Sequence, residues 1–393
     1  VSTLLIALLV LLLAGATVAV LSRRGPGDAP PPAAPPAGLP KPPMAALPAA
    51  AAAPAAPPAT TAPPVAPLPT ALRAFRLVTH ETLPPARAAG LVQQLQQIPP
   101  PPLTLHRLVS AEFLEAARPT ALAELIMAEA QIAARLLATV NAPKYGLRKP
   151  VGSVVQAVSL LGLNTVRALC LQHLLHNSFG SPGPAHRQRL DRLLRASTLS
   201  SELCGRLATP LGLAEPGALV TQAVLCFLGP LATTVLLQPG SPAWGPHASL
   251  LDRLGAEQAA LGLGAGEVGA LLMQAWGLPA SIVQEVRDVD SLLVTPAHLV
   301  DPRRAPRLAL CYLGARLGER LAQGSLADLA DAARPADGAQ LADWQRSRPD
   351  DPDFCHLGSY LALPALAGLG THLQDPALLD AMRALQGSAT PTA

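Results

Sequence analysis

From residue 71 to the end of the chain, apolar side chains recur three and four positions apart, and the apolar–polar alternation of a half-buried strand is almost missing. That pattern confines the folded part to helices packed on helices, an all-α domain with short connections. A first set of helices is expected at 86–97, 119–128, 130–140, 153–161 and 164–175. Pro99 to Pro102 end the first of these, Pro119 suits a helix start, and Ser153 can cap the fourth before Gly162 closes it. A second set is expected at 187–207, 218–236, 249–261, 267–275, 280–286 and 304–323. Short helices follow at 326–333, 358–369 (kinked at Pro364) and 376–385. The domain therefore reads as 71–325, built from an N-terminal set (86–177) and a second set (185–323), with 326–393 as a C-terminal helical extension.

The residues before the domain follow other rules. Residues 1–22 contain no charged side chain, and as a helix they would span about 33 Å, enough for a bilayer core. Arg23 and Arg24 follow directly, so the positive-inside rule predicts a single-pass anchor with the rest of the chain in the cytoplasm. A cleaved signal peptide is the competing reading, disfavoured by the missing basic start and the length of the apolar run. Of the 44 prolines, 17 fall between Gly25 and Thr70, in a Pro/Ala-rich stretch without apolar periodicity. Residues 23–70 are thus expected to be a disordered linker, reaching on the order of 140 Å when extended. A net charge of +3 gives no reason to expect nucleic acid as a partner. Five scattered cysteines without a C-x-x-C pair argue against a disulfide framework or zinc knuckle and fit a reducing compartment.

Several constellations could carry chemistry. Cys170, His173 and His176 are spaced by threes, but two such steps drift around a helix and spread the ligands, so core or surface packing is the expectation. Arg187, Arg189, Arg192 and Arg195 open the second set. Arg189, Arg192 and Arg195 are the candidate binding face for an acidic partner, weighed against an ordinary solvated face. Arg303, Arg304 and Arg307 form a weaker cluster. Asn141 is expected to satisfy backbone groups at a helix end. Gly262 to Gly266 follow a helix rather than a strand, which excludes a dinucleotide-binding turn.

The residues 122–126 (LAELI), 134–137, Asn141-Ala142, Tyr145-Gly146, 155–158 and Leu160-Leu161-Gly162 resemble the HDOD family, the HD-related output domain of bacteria. Glu257, Glu267-Val268-Gly269-Ala270 and the turn from Trp276 to Pro279 continue the likeness, which spans roughly 91 to 321. The resemblance implies structural roles for Asn141, Tyr145, Gly146, Gly162, Glu257, Gly269, Trp276 and Pro279. It is also similar to the HD phosphohydrolases, whose metal ligands are a leading His, a His-Asp pair, a further His and late His or acidic positions. These fall at Ala196, at Cys226 and Phe227, at Ala265, and at Val289 and Asp290. Only Cys226 and Asp290 could bind a cation, and two ligands do not make a hydrolytic centre. The expectation is a non-catalytic signalling scaffold without metal or cofactor, tethered to a bacterial inner membrane and binding a partner protein. A nucleotide- or nucleic-acid-binding regulatory module and a divergent phosphohydrolase are the alternatives.

Overall fold

In the computed structural model, residues 68–116, 118–142, 147, 149–180, 183–244, 249–333 and 351–387 are described. The expected anchor (1–22), nearly all of the linker, Tyr145 and Gly146 lie outside the described residues. Thirteen helices of eight or more residues are present among those described, and no strand. They are α1 (Pro85–Leu95), α2 (Pro119–Met127), α3 (Ala130–Val140), α4 (Val154–Leu161), α5 (Leu163–Ser178), α6 (Pro184–Ala208) and α7 (Pro216–Leu225). After these come α8 (Leu228–Leu236), α9 (Leu250–Leu261), α10 (Ala265–Ala275), α11 (Ala280–Arg287), α12 (Ala305–Gln323) and α13 (Pro376–Gly387).

Local chemistry sets the joints that matter. The Ser153 hydroxyl accepts from the Gln156 amide at 3.2 Å and starts α4. Gly162, at φ +82°, ends it and turns the chain through 116° into α5. The expected single helix 218–236 is in fact two, α7 and α8, interrupted at Cys226 and Phe227. Pro230 explains the break: its ring would clash with the carbonyl of Cys226, four residues back, and it has no N–H to give. The run Pro216–Leu236 is apolar enough to cross a membrane, but 83% of its most apolar window is buried inside the domain. It is a core element.

The 25-residue α6 is the spine, packed mainly against α12, α7 and α5. Two apolar cores lie beside it. One joins the N-terminal helices to α8, α10 and α11 through Leu105, Leu122, Leu171, Leu231, Met273 and Trp276. The other joins α6, α7, α9 and α12 to the last part of the chain through Leu203, Leu254, Leu310, Phe354, Tyr360 and Leu373. The described part of 326–393 is therefore no appendage: it closes the second core, and the Tyr312 hydroxyl donates to the Asp353 carbonyl at 2.8 Å. The expected kinked helix at 358–369 is three short pieces, Leu357–Leu361, Pro364–Leu366 and Leu369–Leu373. At the other end Leu72 is already buried in the second core.

Candidate functional site

The break between α7 and α8 brings the chain against the start of α10 at backbone contact. A Cβ at Gly229 would fall inside the Ala265 carbonyl, and one at Gly269 would lie 2.7 Å from the Gly229 nitrogen. Behind Ala265, α9 supplies Glu257, whose Oε2 accepts the Ala265 amide at 2.7 Å. Asp290 approaches from beyond α11: a Cβ at Gly266 would meet its Oδ2 at 3.1 Å. On the far side a Cβ at Gly318 of α12 would stand 2.6 Å from the Ala196 carbonyl of α6.

Between these elements lies a group of buried charges. Arg253 on α9 donates from Nη1 to Glu319 Oε1 at 2.6 Å, and its Nε is 3.8 Å from Glu257 Oε1. Arg316, one turn before Glu319 on α12, holds the other carboxylate oxygen at 3.0 Å. Burial pushes the Glu257 carboxyl up to about 7, against the opposing pull of Arg253 and the Ala265 N–H. For Glu319 burial works in the same direction, but Arg253 and Arg316 outweigh it and keep its pKa below the usual value. The field of Asp290 reaches Cys226, Arg253, Glu257 and Arg316.

Residues 98–292 match the HDOD domain family model. The chain carries an HDOD domain. A crystal structure of an HDOD domain protein of unknown function from Geobacter sulfurreducens shares this fold, with a TM-score of 0.50 and 15% identity over 76% of this chain and 97% of that one. A provisionally named phosphohydrolase from Shewanella amazonensis SB2B is similar at a TM-score of 0.48 and 18% identity, covering 76% of this chain and 98% of its own. A provisionally named signal transduction protein from Marinobacter aquaeolei VT8 gives 0.47 and 17%, covering 73% and 65%. No curated protein matches the chain.

The HD-type metal implied by the wider fold does not suit the donor set of this HDOD domain. Ala196, Phe227, Ala265 and Val289 are buried groups without a lone pair to offer. The Cys226 thiol is raised well above its ordinary value by a hydrogen bond to Cys311 and by burial, so it is held as the thiol rather than the thiolate a metal needs. The remaining carboxylate, Asp290, already feels two guanidinium groups. A divalent cation there would meet positive charge of the protein's own.

The expected face of Arg189, Arg192 and Arg195 is divided by the structure. Arg189 turns inward, donating to Thr234 Oγ1 at 3.2 Å and to the carbonyls of Trp244 and Ala243 at 3.1 and 3.3 Å. Arg195 reaches the Gln386 carbonyl at the end of α13. Arg192 alone of the three is exposed. Steps of three rotate about 60° backward around a helix, so the first and third members stand about 120° apart. Cys170, His173 and His176 do open on one cavity, of about 510 Å³, between α3, α5 and α6. There the Cys170 thiol is pushed up to about 12 by burial, and His173 Nε2 is 3.2 Å from the Asn177 amide. His80, Glu81 and Glu267 also converge, but Arg287 sits among them, 3.3 Å from Glu267 and 3.8 Å from Glu81. That is an ion-pair cluster already supplied with its cation.

The framework residues are legible in the geometry. The Asn141 amide donates to the carbonyls of Leu137 and Val151 at 2.9 Å, and its oxygen accepts the Val151 amide at 2.7 Å, which pins both ends of the intervening loop. Trp276 packs on Phe179 at 6.1 Å and donates to the Ile98 carbonyl, tying α10 to the N-terminal set. Pro279 precedes the first residue of α11. Arg253, Arg316 and Glu319 were not expected from sequence. For Arg316 and Glu319 a signal was available: an opposite-charge pair three residues apart, beside Gly314 and Gly318, in a helix rich in Leu and Ala.

Proposed function

We propose that this HDOD protein is a non-catalytic signalling scaffold that binds a partner protein. Its apolar residues 1–22 hold it at a bacterial inner membrane, and 23–70 let the domain stand off in the cytoplasm. The observation carrying the non-catalytic reading is the buried Arg253–Glu319–Arg316 triad beside Asp290, where a hydrolytic centre would need metal ligands. The partner surface is the groove between the N-terminal helices and α6, whose walls combine Ile132, Leu136 and Leu194 with Arg135, Arg195 and His173. That mixture suits an acidic segment with apolar anchors.

Two measurements test this. The full-length chain, assayed on phosphodiesters with Mn²⁺ present, should show turnover no higher than the metal-free blank. Metal-dependent turnover abolished by Asp290→Asn would overturn the non-catalytic reading. Crosslinking in native membranes from a photoreactive group at Thr139, on the groove, should recover one protein reproducibly, and recovery of lipid alone would remove the partner.

A further inference from the structure

A second cavity, of about 530 Å³, opens between α6, α9 and α12, on the other side of α6 from the partner groove. Its floor is Arg253, Arg316 and Glu319, exposed by only 7%, 5% and 7%. Arg192 and Gln323 stand exposed at the rim. Arg189 forms one wall, its guanidinium 5.4 Å from the centre of the Trp244 ring, and Arg320 forms another.

Two features of this cavity point to a ligand. The first is charge: five arginines face it against the carboxylates of Glu319 and Asp353. Arg253 and Arg316 share Glu319, Arg320 takes Asp351 and Asp353, and Arg189 is met by carbonyls, a hydroxyl and an indole face. The second is unmet donors. Nη2 of Arg253, Nε of Arg316 and Nε1 of Trp244 are buried with no hydrogen-bond acceptor, whereas Nε of Arg253 faces the Glu257 carboxylate at 3.8 Å. A buried donor left unpaired costs about 1–3 kcal/mol, more when charged, so three around one cavity call for an acceptor-rich occupant.

We propose that this cavity binds the phosphoryl group of a small phosphorylated molecule. A phosphate monoester brings about −1.5 to −2 charges near pH 7 and three acceptor oxygens pointing in different directions. Guanidinium forks converging from three helices match that geometry, whereas a planar carboxylate would satisfy one fork. The volume exceeds what a bare phosphate fills and lies in the range of small-molecule sites, so an organic group fits beside the phosphate. This inference stands apart from the partner groove and does not depend on it.

The test is titration calorimetry of the full-length chain in detergent with inorganic phosphate and, in parallel, ATP. Saturable one-to-one binding of either is expected; tighter binding of ATP identifies a nucleotide as the source, equal binding a free phosphate. Arg192→Ala should weaken it by roughly threefold, the scale of one exposed charge pair. Arg253→Met/Glu319→Leu/Arg316→Met should keep the fold and lose binding at least tenfold. Absence of saturable heat with both probes overturns the proposal, as does unchanged affinity in Arg192→Ala or in a folded triple variant.

Discussion

Glu319→Leu is the sharpest perturbation of the buried triad. The side chain makes two charge-assisted contacts, at 2.6 Å to Arg253 and 3.0 Å to Arg316, and all three residues are buried. Each such bond contributes about 1.5–3 kcal/mol, and removing one member of a buried ion group typically costs about 3–5 kcal/mol because the partners stay behind uncompensated. Two features soften the loss here. Glu257 stands 3.8 Å from Arg253 Nε, and Asp290 acts on both arginines. We therefore place the cost near the lower end, at about 3 kcal/mol. Against a domain stability of about 5–15 kcal/mol that is a large fraction, and urea unfolding should move its midpoint down by about 1–2 M. Exchanging the whole triad for apolar residues removes the stranded charge together with the pair. Arg253→Met/Glu319→Leu/Arg316→Met should therefore unfold within about 1 kcal/mol of the parent, or later. A single variant costing under about 1 kcal/mol, or a triple variant worse than the single, would refute the view that these charges act as one coupled unit.

Four further outcomes are expected. Gly269→Ala sets a methyl 2.7 Å from the Gly229 backbone nitrogen, so urea unfolding should show about 1–3 kcal/mol lost. Gly255→Ala, in α9 with open space around it, should gain up to about 1 kcal/mol in the same assay. Asn141→Ala removes three side-chain bonds at an exposed position. Hydrogen exchange at the Val151 amide should quicken at least tenfold while global stability falls by about 1 kcal/mol. Glu257 is raised in the fold from 4.5 to about 7, so its protonated form favours the folded state. Its contribution is complete below pH 4.5 and is lost as pH rises through about 7. Thermal unfolding should show that decline in the parent and a flatter profile in Glu257→Gln; parallel profiles would count against the assignment.

Much of the frame is readable from the residues because local rules decide it. Ala130–Val140 begins and ends where its apolar period does, and Ser153 and Gly162 bound α4 through side-chain capping and a left-handed turn. The misses share a cause, which is that tertiary partners are invisible in a linear pattern. Pro230 splits an apolar run whose hydropathy reads as one helix. Residues 357–382 look like short amphipathic pieces of an extension, yet Leu357, Tyr360, Leu373 and Met382 are almost fully buried because they complete the second core. Arg189 has the spacing of a surface arginine and turns inward because Thr234 and the carbonyls of Ala243 and Trp244 offer acceptors.

The metal positions show the same logic with larger consequences. Reading Ala196, Phe227 and Ala265 against the HD ligand pattern says only which donors those positions lack. What the centre holds instead is set by α9 and α12, which place Arg253, Glu257, Arg316 and Glu319 among the same helices. The surrounding helices pack at backbone distance, α8 on α10 at Gly229 and Gly269 and α12 on α6 at Gly318, and the two guanidinium groups among them are bridged by Glu319. On the proposed non-catalytic reading, a His-Asp pair alone does not make a metal site here: Cys226→His together with Phe227→Asp would leave both guanidinium groups in place. Such a double variant should take up no Mn²⁺ by equilibrium dialysis, while the same pair of substitutions added to Arg253→Met/Glu319→Leu/Arg316→Met has the repulsion removed. Mn²⁺ uptake by the double variant alone would mean that the arginines, for all their burial, do not set the sign of the site.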